Sequence, residues 1–103
     1  MKNSIKTELT EYINDHIDDY KDLRHNEDLH HHLFNEDYYI IGYYQAEQWL
    51  KEHCISVFEG IEICQTYEKD NFGECQVYDN AEKLVNMLVY IYGEELLGEL
   101  ELI

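Results

Sequence analysis

The chain has 103 residues, of which 45% are hydrophobic, and its 23 acids against 7 bases give a net charge of −16 at neutral pH. That length and composition suit one hydrophobic core, and the aromatic and branched aliphatic content excludes a disordered acidic tail. The charge excludes nucleic acid and anionic membrane surfaces as direct partners, because both require a basic face.

The elements follow from apolar spacing. Ile5, Leu9, Ile13, Ile17 and Tyr20 recur every three or four residues, which predicts an amphipathic first helix with Asn3 or Ser4 as its N-cap. Asn26 precedes "EDLHHHLF", a short second helix with Leu29, Leu33 and Phe34 turned inward. Asn35 is placed to cap a third helix from Glu36 to about His53, with Glu36 and Asp37 in its first turn and Lys51 in its last, as the macrodipole prefers. Its centre, Tyr38 to Tyr44, is apolar nearly all round, as in a buried helix.

Ser56 and Glu59 have the spacing of a capping box and open a fourth helix. Val57, Phe58, Ile61, Cys64 and Tyr67 form its inward stripe, and Asn71–Gly73 ends it. Residues 74–78 read as a loop or one brief extended segment. Asp79 or Asn80 caps a last helix from about Ala81, lined by Leu84, Met87, Leu88, Ile91 and Tyr92, with Gly93 or Gly98 near its end. With no proline, five glycines and no repeat, the expectation is one acidic, all-α domain over residues 1–103, a bundle of about five short helices.

A net charge of about 2–8 in magnitude serves most small domains. At −16 self-repulsion is strong, and stability rises with salt. Glu8, Glu11, Asp15, Asp18 and Asp22 are spaced three, four, three and four apart. On a continuous helix they form one line opposite the apolar stripe, with successive carboxylates about one 5.4 Å turn apart. Duplex DNA carries about one negative charge per 1.7 Å of axis, so a rigid carboxylate row can occupy a basic cleft built for phosphates. An alternative reading is a solvated face of an acidic protein.

The remaining chemistry-bearing residues assemble into less. Cys54, Cys64 and Cys75 are odd in number and lack CxxC spacing, which reads as reduced, buried structural cysteine. His30, His31 and His32 point about 100° apart on a helix, so they cannot jointly hold one ion, and no metal or other cofactor is expected. No nucleophile elbow, P-loop or dinucleotide fingerprint is present, so the chain reads as non-enzymatic. Tyr38, Tyr39, Tyr43 and Tyr44 either fill a core or form an aromatic interface for a partner or a second copy of the chain. No apolar run reaches membrane-spanning length, and "MKNSIKTELTEY" lacks a signal-peptide core, which predicts a cytoplasmic protein.

The stretches "LFNEDYYIIGYYQAEQWL", "YEKDNFGE" and "VNMLVYIYGEELL" resemble small acidic proteins encoded by bacteriophages and their relatives, over about Leu29 to Leu97. The resemblance implies a phage setting, and hence the host cytoplasm. Small acidic helical proteins in that setting are often anti-CRISPR or anti-restriction inhibitors, several of them DNA mimics. The leading expectation is therefore an inhibitor of a basic nucleic-acid-binding host protein, such as a CRISPR effector or restriction nuclease. Its contacts would be Glu8, Glu11, Asp15, Asp18 and Asp22, then Glu36 and Asp37. The alternatives are a phage interaction or assembly module acting through the tyrosine-rich helix, as a homodimer, and an enzyme or metalloprotein built on the histidines.

Overall fold

A computed structural model describes residues 1–23, 25, 26, 28–37 and 42–103, with the side chains of residues 36, 37 and 43 outside the description. The protein is all-α, with five α-helices and no strand among the described residues. Helix α1 spans Asn3–His16, α2 Asp28–His31, α3 Tyr43–Glu52, α4 Val57–Phe72 and α5 Ala81–Glu99. A 3-10 helix, Ile17–Leu23, follows α1, and a π-helix, His32–Asp37, follows α2. The chain packs as two units, one of Met1–Tyr39 with Tyr92–Ile103 and one of Ile40–Ile91.

In the first unit, α1 buries Ile5, Leu9 and Ile13, and Ile17 continues that face into the 3-10 segment. Lys2 flanks the start of α1 without a side-chain cap, so the expected Asn3 or Ser4 cap is not formed. Leu29, Leu33 and Phe34 are buried as expected. Tyr12 ties the two segments by donating its hydroxyl to the Leu33 carbonyl at 2.8 Å. Leu96 and Leu97, on the last turns of α5, are also fully buried. Gly93 lies against Phe34 so closely that a Cβ there would stand 2.5 Å from the ring atoms Cδ2 and Cγ. Beyond α5, Leu102 N–H returns to the Leu97 carbonyl at 2.9 Å around Glu101, whose φ is 58°. The Leu102 carbonyl then accepts from His25 N–H at 2.7 Å.

In the second unit, the third helix starts at Tyr43 and not at Glu36. Gly42 immediately before it has φ 93°, a conformation that glycine adopts freely and a right-handed helix does not contain. Asn35 is not an N-cap. It lies inside the π-helix, with its amide 3.3 Å from His31 Nδ1. The start of the expected apolar centre, 38–41, lies outside the described residues. At its far end α3 closes in a Schellman arrangement, with Ile55 N–H bonded to the Leu50 carbonyl at 2.9 Å around a left-handed Cys54.

Helix α4 begins as its capping box predicts, with Ser56 Oγ accepting from Glu59 N–H at 3.1 Å. It ends at left-handed Gly73. Its inward face keeps Cys64 of the expected stripe, leaves Ile61 and Tyr67 half-buried, and differs elsewhere. Val57 and Phe58 are 52% and 88% exposed, and the buried residues are Gly60, Cys64 and Glu68. Gly60 sets that face, because even a methyl there would meet Leu84 and Leu88 at 3.2–3.3 Å. A helix can bring its axis that close to a neighbour where the side chain is hydrogen. Residues 74–78 are a loop without a strand. Asn80 caps α5 by accepting from Lys83 N–H at 2.8 Å. Leu84, Val85, Leu88 and Val89 are buried, with Ala46, Trp49, Leu50 and Ile55 as the other main apolar contributors to this unit's core.

Candidate functional site

The acidic face of α1 is fixed by what lies behind it. Because Ile5, Leu9 and Ile13 are wholly buried, the helix cannot roll, and the opposite face is held outward. Glu11 and Asp15 are exposed and Glu8 is half-buried. These three sit at axial intervals of about 4.5 and 6.0 Å, against about 3.4 Å between successive phosphates on one DNA strand.

The five-residue line does not run straight. α1 ends at His16, and Asp18 and Asp22 belong to the 3-10 helix, where Tyr20 leaves helical geometry at φ −122°, ψ 39°. At three residues per turn, positions four apart lie about 120° apart around the axis, not the 40° of an α-helix. Asp18, Asp19 and Asp22 are all exposed but fan out around the end of the row. The side chains of Glu36 and Asp37 lie outside the described residues. One base of α1 is engaged elsewhere: Lys6 Nζ is 3.3 Å from Glu99 Oε2. The first unit carries 14 acids against 4 bases, and the second 9 against 3.

A second acidic line, missed by the sequence reading, runs along α4. Glu59, Glu62 and Asp70 are exposed and line a shallow surface depression with Ile63, Thr66 and Tyr67. Their spacing of three and eight residues was legible. The signal was hidden by assigning Val57 and Phe58 to the interior, when both are exposed and the buried face runs through Gly60, Cys64 and Glu68.

The histidines diverge. His30 is buried, with Nδ1 3.8 Å from Glu94 Oε2. His31 is exposed, and half-buried His32 lies 5.9 Å from the Tyr20 ring. His16 Nδ1 donates to the Tyr12 carbonyl at 2.8 Å, its ring 4.2 Å from that of Tyr12. His53 is buried against Trp49, with ring centroids 4.5 Å apart. Among the described residues no three histidines, cysteines or acids are placed to hold a metal ion. Of the tyrosines proposed as an interface, Tyr44 is 74% exposed. Tyr38, Tyr39 and the side chain of Tyr43 lie outside the described residues.

Two of the three cysteines, Cys54 and Cys75, are exposed, contrary to the expectation that all are buried. Cys54 occupies the left-handed position that ends α3, and Cys75 lies in the loop after α4. Cys64 is fully buried. Burial first, and the nearby Glu68 carboxylate second, push its thiol from 9.0 up to about 12. Glu68 is itself only 1% exposed. Its Oε2 accepts from Gln76 N–H at 2.7 Å, and its Oε1 has no hydrogen-bond partner among the described residues. The carboxylate thereby ties the loop after α4 back onto that helix. Its position was readable from Gly60 and Cys64, since the three are spaced by four.

No helix of the described residues is long and apolar enough to cross a membrane. The chain matches no protein-family model, no curated protein and no solved structure.

Proposed function

We propose that this protein is a non-enzymatic, phage-type inhibitor that occupies a basic nucleic-acid-binding surface of a host defence protein, such as a CRISPR effector or a restriction nuclease, by imitating DNA. The observation that carries the reading is the outward row Glu8, Glu11 and Asp15, held by a helix whose other face is wholly buried. A row fixed in this way loses little conformational entropy on binding and steers a basic cleft toward it at long range. Asp18, Asp19 and Asp22 widen the negative surface beyond the row's end.

The test is capture of partners from host lysate with two charge-matched variants. E8K/E11K/D15K reverses the α1 row, and E59K/E62K/D70K reverses the α4 line by the same net charge. The α1 variant is expected to lose a basic nucleic-acid-binding partner that the α4 variant keeps. Equal retention by both assigns the contact elsewhere, and equal loss makes net charge, not the row, the recognised feature.

A second reading has one observation in its favour. Tyr44 is 74% exposed on the first turn of α3, which suits an assembly module working through aromatic contacts or a homodimer. Light scattering of Tyr44→Ala beside the wild type separates them: a monomer at high concentration in both removes the self-association reading.

A further inference from the structure

The second unit holds a groove where α3, the start of α4 and the start of α5 meet. Its volume is about 390 Å³, within the range of sites that take a ligand or an anchoring side chain. Leu50, Val57, Ala81, Leu84 and the ring of Tyr78 supply its apolar lining, and the charged residues among its described lining, Glu47 and Asp79, are both acids and both exposed. No base lines it. Val57 lies 52% exposed at its edge, and Phe58, the next residue on α4, is 88% exposed. The first turn of α4 thus shows solvent the apolar surface that its sequence pattern would bury.

The lining determines what can enter. A purely apolar occupant would cover part of the exposed Glu47 and Asp79 carboxylates and offer neither an ion-pair partner, which is unfavourable. An acidic occupant would be repelled. An apolar side chain flanked by cations fills the interior and pairs the edge. We propose that this groove anchors a basic protein partner through a leucine- or phenylalanine-type side chain flanked by arginine or lysine. This goes beyond the α1 reading: it uses a different surface and shares with it only the sign of the partner's charge.

The probe is a fluorescent amphipathic peptide with leucines on one face and arginines beside them, titrated into the full chain. Two control peptides replace the leucines by alanine or the arginines by glutamate. Burying one such apolar side chain corresponds to about a tenfold to hundredfold gain in affinity. The parent peptide should therefore bind at least about tenfold more tightly than either control. It should be weakened to a similar degree by V57S, by E47K and by A81F, which fills the groove, and be untouched by E8K/E11K/D15K. Val57 and Glu47 are exposed, so V57S and E47K read the groove even if A81F misfolds. Equal binding of the alanine control means that charge alone is recognised and overturns the proposal. So does parent binding that V57S and E47K leave unchanged. Self-association of the chain that V57S abolishes, without peptide binding, also overturns it, by giving the groove to a second copy.

Discussion

Gly93 and Cys64 show how tightly single residues are specified. In an open helix Gly→Ala gains about 1 kcal/mol. At Gly93 the new methyl would meet the Phe34 ring at 2.5 Å, and Phe34 is 2% exposed, so the ring would have to shift within a buried environment. Overpacking of this kind costs about 1–3 kcal/mol, so G93A is expected to lower the midpoint of denaturant unfolding, and a raised midpoint would contradict the packing described. Cys64 has a folded-state pKa of about 12 against 9.0, so the folded state holds its proton where the unfolded chain has released it. Its contribution to stability is complete below pH 9 and is lost as pH rises toward 12, at up to about 1.4 kcal/mol per pH unit. C64A should remove that alkaline slope. In the native protein at pH 8, a thiol reagent should label Cys54 and Cys75, which are exposed, and reach Cys64 only after unfolding.

At the scale of elements, Glu68 links α4 to the loop that follows. E68A removes the acceptor for Gln76 N–H and should cost about 1–3 kcal/mol. E68Q keeps an acceptor and removes a buried charge with an unpartnered oxygen, so its thermal midpoint should stay near wild type. An equal loss in both variants would mean that the charge, not the tether, matters. The helices themselves were legible where local chemistry is decisive. Ser56 with Glu59, Asn80 before α5 and Gly73 after α4 all act as their residue types predict. The apolar spacing of α1 translated directly into buried Ile5, Leu9 and Ile13. Legibility failed where the helix type changes. Nothing in a three- or four-residue spacing distinguishes an α-helix from the 3-10 turn after His16 or the π-helix from His32, and those changes bend the acidic line and displace the start of α3. It failed again at Val57 and Phe58, where hydrophobicity suggested burial but the close approach at Gly60 sets the inward face on Gly60, Cys64 and Glu68. The groove was illegible because it is lined by residues from Glu47 to Leu84, far apart in sequence.

At the scale of the molecule, both units are net negative, the first by 14 acids to 4 bases and the second by 9 to 3. Like charges at helical spacing each cost some tenths of a kcal/mol, and salt screens exposed charges over about 8–10 Å. The thermal midpoint should accordingly rise with sodium chloride, where a flat response would mean that the acids are already compensated. The same charge that strains the fold is what a cleft built for phosphates would recognise. The most direct test of the proposed DNA imitation is the salt dependence of any complex this protein forms with a basic nucleic-acid-binding protein captured from lysate, measured with and without duplex DNA as competitor. The affinity should fall steeply and linearly on logarithmic axes as salt rises, DNA should displace the partner, and E8K/E11K/D15K should give a shallower slope. An affinity independent of salt, or a partner that binds this protein and DNA at the same time, would contradict it.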